Sequence, residues 1–151
     1  MNKRRLLIAA AGAFVLRAPL AAVAQPTEKN WRIGFFYVGT RQSALDTGRY
    51  GAFIDGMRQL GYVEGKNLIV VERFASDGDY ARMPEVATEL VRANVDVIVA
   101  TGSPATQALR HATSSLPVVV TLSANPVTEG IAASLARPGS NFTGLSAVLD
   151  E

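Results

Sequence analysis

The sequence contains no cysteine, one histidine and one tryptophan in 151 residues. Without cysteine this segment has no disulfide, no thiolate metal site and no thiol nucleophile. Export stays open, because a domain of ordinary size buries enough core to stand without such staples. A single histidine excludes a histidine-pair metal centre. His111 stands late in an expected helix beside Arg110, where a cation favours the C-terminal dipole, and reads as a solvated surface residue. Charge is also sparse at 19%, against 48% hydrophobic residues, which suits a folded α/β domain rather than a disordered chain.

The catalytic and nucleotide motifs are missing too. The first strand runs out through Tyr37-Val38-Gly39-Thr40-Arg41-Gln42, which does not match the G-x-G-x-x-G of a dinucleotide fold. The P-loop pattern G-x-x-x-x-G-K-[ST] is absent as well. A phospho-receiver needs an aspartate at the end of the third strand, and Ala100-Thr101 stands there. Asp96 lies at the opposite end and reads as a turn residue. Asp77 and Asp79 flank Gly78 in a polar loop, which is plainer than a carboxylate pair. Asn141-Phe142-Thr143 is a glycosylation sequon of little specificity. Trp31 and Phe35 read as packing residues. Neither an enzyme nor a cofactor or metal site is expected.

The net charge of +2 is unevenly placed. Residues 1–24 hold Lys3, Arg4, Arg5 and Arg17 and no acid, so the rest of the chain is slightly acidic. The basic balance therefore says nothing of a nucleic-acid surface, which needs clustered cations on one face. The same 24 residues have the three parts of a secretory signal: a basic start, an apolar run from Leu6 to Leu16, and Ala22-Val23-Ala24 before Gln25. At 1.5 Å per residue the apolar run spans about 16 Å, half of a ~30 Å bilayer core, so it reads as a signal cut after Ala24 and not as an anchor. Arg4-Arg5 leaves both the general and the twin-arginine export routes open. Residues 25–30 form a short linker.

From residue 31 strands and helices alternate. Arg32 to Val38 is a nearly continuous apolar run, as in a strand buried on both faces. Tyr50, Phe53, Ile54, Met57 and Leu60 recur at helical spacing over residues 48–60, and Gly61 ends the helix. Leu68 to Phe74 is the second strand. Pro84 opens a helix to about Ala93, with Met83, Ala87, Leu90 and Val91 facing inward. Val95 to Ala100 is the third strand and Val118 to Leu122 the fourth. Each runs into a similar connection, Thr101-Gly102-Ser103-Pro104 and Ser123-Ala124-Asn125-Pro126. Ser103 and Asn125 are expected as N-caps, and Pro104 and Pro126 as first residues of helices reaching about Ala112 and Ala136. Pro138-Gly139 stops the second helix, and Asn141 to Ser146 is a fifth strand. Repeated units of this kind predict a parallel, doubly wound sheet with helices on both faces.

Such a sheet binds ligands beyond the carboxyl ends of its strands, near the switch in strand order. The loops there are Tyr37 to Gln42, Thr101 to Pro104, Ser123 to Pro126 and Leu145-Ser146. They offer hydroxyls, an amide and helix N-termini, which favour an anionic ligand group.

Arg32-Ile33-Gly34, FIDGMRQLG at 53–61, DVIVATGS at 96–103 and Asn125 to Ser146, above all SLARPGSNFTGLS at 134–146, carry a family resemblance. Over nearly all of residues 31–151 the chain resembles ABC-transporter substrate-binding proteins related to tryptophan- and tyrosine-binding lipoproteins. The resemblance implies a type 1 periplasmic-binding fold, two α/β lobes hinged over a small ligand, in chains about twice this length. Residues 31–146 are then the N-terminal lobe, and 147–151 the start of a crossover toward a second lobe. It implies capture of a small solute in the periplasm, with an amino acid or another carboxylate as candidate ligands, and delivery to an ABC permease in the inner membrane. By position, Tyr37, Gly39, Thr40, Thr101, Gly102, Ser103, Ser123 and Asn125 are the expected ligand-binding residues. Ser103, Thr101 and Asn125 are expected to donate to a ligand carboxylate. Two departures stand out. Many relatives have aspartate where Asn125 stands, and the lipoproteins have a cysteine after the signal where this chain has Gln25. The latter favours a soluble form. The same fold also serves sensor subunits of membrane receptors, and an exported enzyme with its catalytic groups in another lobe is the further alternative.

Overall fold

A computed structural model describes residues 29–76 and 79–146. The expected signal peptide, most of the linker, Asp77, Gly78 and residues 147–151 lie outside them.

The first strand, β1 (Trp31–Val38), sends successive side chains to opposite faces of the sheet. Ile33, Phe35 and Tyr37 enter one hydrophobic cluster and Phe36 the other. Both sets are buried, which explains the unbroken apolar run. A short helix α1 (Arg41–Asp46) and then α2 (Arg49–Gln59) cover the Phe35 face. Ala44, Tyr50, Phe53, Ile54 and Met57 pack there against β1 and β2 (Leu68–Ala75). A 3-10 turn at Tyr80–Arg82 leads into α3 (Met83–Arg92) on the opposite face. β3 (Val97–Thr101), α4 (Ser103–Ala112), β4 (Val118–Ser123) and β5 (Phe142–Ser146) complete the order.

All five strands are parallel, in the order β2-β1-β3-β4-β5. Helices lie on both faces, α1 and α2 on one and α3 and α4 on the other. The larger cluster joins Met83, Val86, Leu90, Ile98, Leu109, Val118 and Phe142, so α3 and α4 are seated by the alternate residues of β3 and β4. Asp96 ties the lower end of β3 to β1: its Oδ2 accepts from the Arg32 backbone N–H at 2.8 Å. Lys29 pairs with the same carboxylate at 2.9 Å. This is the turn role expected of it. His111 is exposed in the last turn of α4, and Phe35 is a core residue at 1% exposure. Trp31 is partly exposed and meets Tyr62 edge-on.

The structure departs from the sequence expectations at three places. The first is α1, which the sequence did not signal: RQSALD is too short to show a period, and the helix is held by a capping box between Thr40 and Ser43. The second is the N-cap of α4, which is Gly102 and not Ser103. Gly102 stands at φ +85°, open only to glycine, which moves Ser103 into the first helical position. The third is the helix expected from Pro126 to Ala136. Residues 126–130 form turns and 131–141 contain no helix. Asn125 does cap the first turn, with its Oδ1 accepting from the Thr128 N–H at 3.1 Å. Gly130 then adopts φ +68°, and the Ile131 and Ala132 N–H groups both return to the Pro126 carbonyl, so the helix ends after one turn.

Candidate functional site

Strand order reverses at β1 and β3: β2 lies to one side of β1, and β3 and β4 follow on the other. In a parallel sheet that reversal leaves a crevice between the loops leaving β1 and β3. The loops after β1, β3 and β4 lie side by side along this edge. It holds all eight expected binding residues, and it divides them by what their polar groups already do.

At the end of β1, Tyr37 is buried between Phe35 and Phe74. Its hydroxyl accepts from Arg49 at 3.4 Å. Hydrogen bonding with Thr47 holds the phenol below its ordinary pKa; burial opposes this, while Ser43 and Arg49 add to it. Gly39 donates its N–H to the Ala75 carbonyl at 2.7 Å, closing the loop onto β2. Thr40 is exposed, and its Oγ1 accepts from the Ser43 N–H.

At the end of β3, Thr101 bridges the two switch-point strands. Its hydroxyl donates to the Phe36 carbonyl at 3.1 Å, and its oxygen accepts from the Val38 N–H at 3.3 Å. Ser103 donates instead to the side chain of Glu129, at 3.0 Å from Oε1. Ser123, at the end of β4 and 2% exposed, donates to Oε2 of the same residue at 3.1 Å. Glu129 is the residue the sequence reading missed. Inside a helix it would have passed for a solvated side chain, and the one signal was the Glu-Gly pair that marks a helix end.

Helix α4 holds the Glu129 turn along one face. Ser103 takes the carboxylate, Gln107 donates from Nε2 to the Glu129 carbonyl at 2.9 Å, and Arg110 donates to the Gly130 carbonyl at 3.0 Å. These three residues are spaced one helical turn apart and so share a face. The Glu129 carboxylate therefore sits by the N-terminus of α4, where the helix dipole favours negative charge.

A second charged group lies behind the β1 loop. Arg41 pairs with Glu72 at 2.9 Å. Burial pushes the Glu72 carboxyl upward, but hydrogen bonds from Arg41 and Tyr50 outweigh it and hold the group below the usual carboxylate range. Tyr50 in turn is pushed well up, first by burial and then by Glu72.

A doubly wound lobe with hydroxyl-rich loops at its switch point is a ligand-binding architecture. The chain belongs to the family of ABC transporter substrate-binding proteins, whose model matches residues 40–151. It is similar to the tyrosine-binding protein of Clostridioides difficile (strain R20291), with 32% identity over 103 residues, 68% of this chain and 29% of that protein. Its fold matches a solved conserved domain protein of Vibrio cholerae (36% identity, TM-score 0.69, 78% of this chain and 39% of that one). It also matches the ABC domain from Streptococcus pneumonia solved in complex with L-Trp (29% identity, TM-score 0.68, again 78% and 39%). The chain thus spans well under half the length of the relatives it matches. The type of fold and the family read from SLARPGSNFTGLS are both confirmed.

Proposed function

We propose that this chain is the N-terminal lobe of a periplasmic solute-binding protein that delivers a small molecule to an ABC permease and performs no chemistry. The observation that carries the proposal is the alignment of the β1, β3 and β4 loops along the switch-point edge of a lobe from this family. Tyr37, Gly39, Thr40, Thr101, Gly102, Ser103, Ser123 and Asn125 form that edge and line one wall of the site. The relatives named for tyrosine and for L-Trp make an amino acid the favoured ligand class.

One wall leaves most of a small ligand in water, whereas binding sites for such molecules bury 70–90% of their surface. Affinity then depends on a second lobe closing over the first. The test is calorimetric titration of L-tyrosine and L-tryptophan into residues 25–151 and into the complete gene product. Binding by the complete product at least a hundredfold tighter supports the two-lobe reading. Equal affinities sink it.

A further inference from the structure

Resting on that reading, we propose that Glu129 sets the charge of the ligand: the wall formed by β3 and β4 receives a protonated amine, not a carboxylate.

The argument is an inventory of protons. A serine or threonine hydroxyl has one proton to donate and lone pairs to accept with. At the ends of β3 and β4 these protons are already committed. Thr101 gives its proton to the Phe36 carbonyl. Thr121 gives its own to the Ala100 carbonyl at 3.4 Å. Ser103 and Ser123 both give theirs to Glu129. What these hydroxyls still offer is oxygen. Beside them stands a carboxylate that accepts only and has lone pairs to spare after two bonds.

Charge points the same way. Glu129 forms no ion pair among the described residues. Arg110, held beside the turn, gives its guanidinium proton to the Gly130 carbonyl. The positive end of α4, which would otherwise attract a ligand anion, is answered by Glu129 itself. A ligand carboxylate placed on Ser103 and Ser123 would have to displace the chain's own carboxylate or lie against it. An ammonium has three donors and no acceptor, the complement of these hydroxyl oxygens and of the Glu129 carboxylate. The Gln107 and Arg110 bonds fix the backbone of the turn, so the carboxylate is in place before a ligand arrives.

The test uses the complete gene product, a matched probe set and two proteins. The probes are L-tyrosine, tyramine, which keeps the amine and loses the carboxylate, and 3-(4-hydroxyphenyl)propionate, which keeps the carboxylate and loses the amine. The corresponding tryptophan set is run in parallel. Wild type is expected to bind an amine-bearing probe at least tenfold tighter than its deaminated partner. Glu129→Gln removes the charge, keeps a carbonyl acceptor for one serine and presents an amide N–H that the other serine's oxygen can accept. It should weaken the amine-bearing probes by about ten- to a hundredfold, the range for one hydrogen bond to a charged group. The deaminated acids should change by less than about threefold. An equal loss for all probes makes Glu129 a staple between α4 and β4 and overturns the proposal. So does a preference of wild type for the deaminated acids, or no binding of any amine in either set. Tight binding of an anion by the complete product alone would remove this inference and leave the two-lobe reading standing. Equal affinity of lobe and complete product would remove that reading whatever Glu129→Gln does.

Discussion

Two glycines in neighbouring elements should respond to the same methyl group with opposite signs. Gly39, at the mouth of the β1 loop, has φ +135°. A Cβ built there would lie 2.6 Å from Tyr37 Cε1 and 2.7 Å from Ser43 Oγ. Relief requires moving Tyr37, a buried ring packed on Phe35, or breaking the Thr40–Ser43 capping box. The backbone conformation costs about 1–3 kcal/mol for a residue other than glycine, and overpacking adds about 1–3 kcal/mol. Gly39→Ala is therefore expected to destabilise by roughly 2–6 kcal/mol. Gly51 lies within α2, is exposed, and has nothing within 4 Å of its added Cβ. Gly51→Ala should stabilise by about 0.5–1 kcal/mol through helix propensity. Urea denaturation followed by circular dichroism measures both, with unchanged slopes checking that the unfolded states match. A Gly39→Ala loss below about 1 kcal/mol would mean that the β1 loop gives way freely, and the picture of a pre-set loop wall would fail with it.

Truncating Leu90, fully buried between α3 and the sheet, is expected to cost about 2–5 kcal/mol in the same assay. Acid should also weaken the fold. Glu72 has its folded pKa held below the unfolded value, about 4.3 for a free glutamate. Its contribution is therefore complete above that value and lost as pH falls through the lower folded pKa. Asp96 acts in the same sense, first through Lys29 and then through the Arg32 N–H. Melting temperature measured from pH 6 down to pH 3 should drop at the acid end, and Glu72→Gln should flatten that drop. An unchanged acid profile in the variant would show that the Arg41–Glu72–Tyr50 group does not couple to folding.

The architecture was legible because the strongest sequence signals here are also the ones the core enforces. Phe35, Phe36, Ile98 and Val118 each fill the face that strand alternation assigns them, and Leu90 and Leu109 do so by helical period. What the sequence hid depends on bonds between distant segments. IAASLA at 131–136 has helical composition, but Gly130 turns the chain first and Arg110, twenty residues away, holds that turn. Ser103 was read correctly as a helix-end residue and wrongly as the cap, because Gly102 adopts a backbone that no local pattern announces. All the expected site residues lie on the predicted edge. Their hydrogen-bond allegiance was invisible, because Glu129 stands 26 residues from Ser103 and six from Ser123.

Ser103, Gln107 and Arg110 bind the 129–130 turn at three points along a single helix face. Mechanically, this makes α4 and the 129–130 turn one stiff unit. If a second lobe closes over this one as proposed, a stiff wall confines the deformation to the hinge. Under the proposed binding role, a ligand held at Ser123 would load Glu129 and α4 together. Loosening any one of the three ties should make that unit compliant even where a ligand would touch none of them.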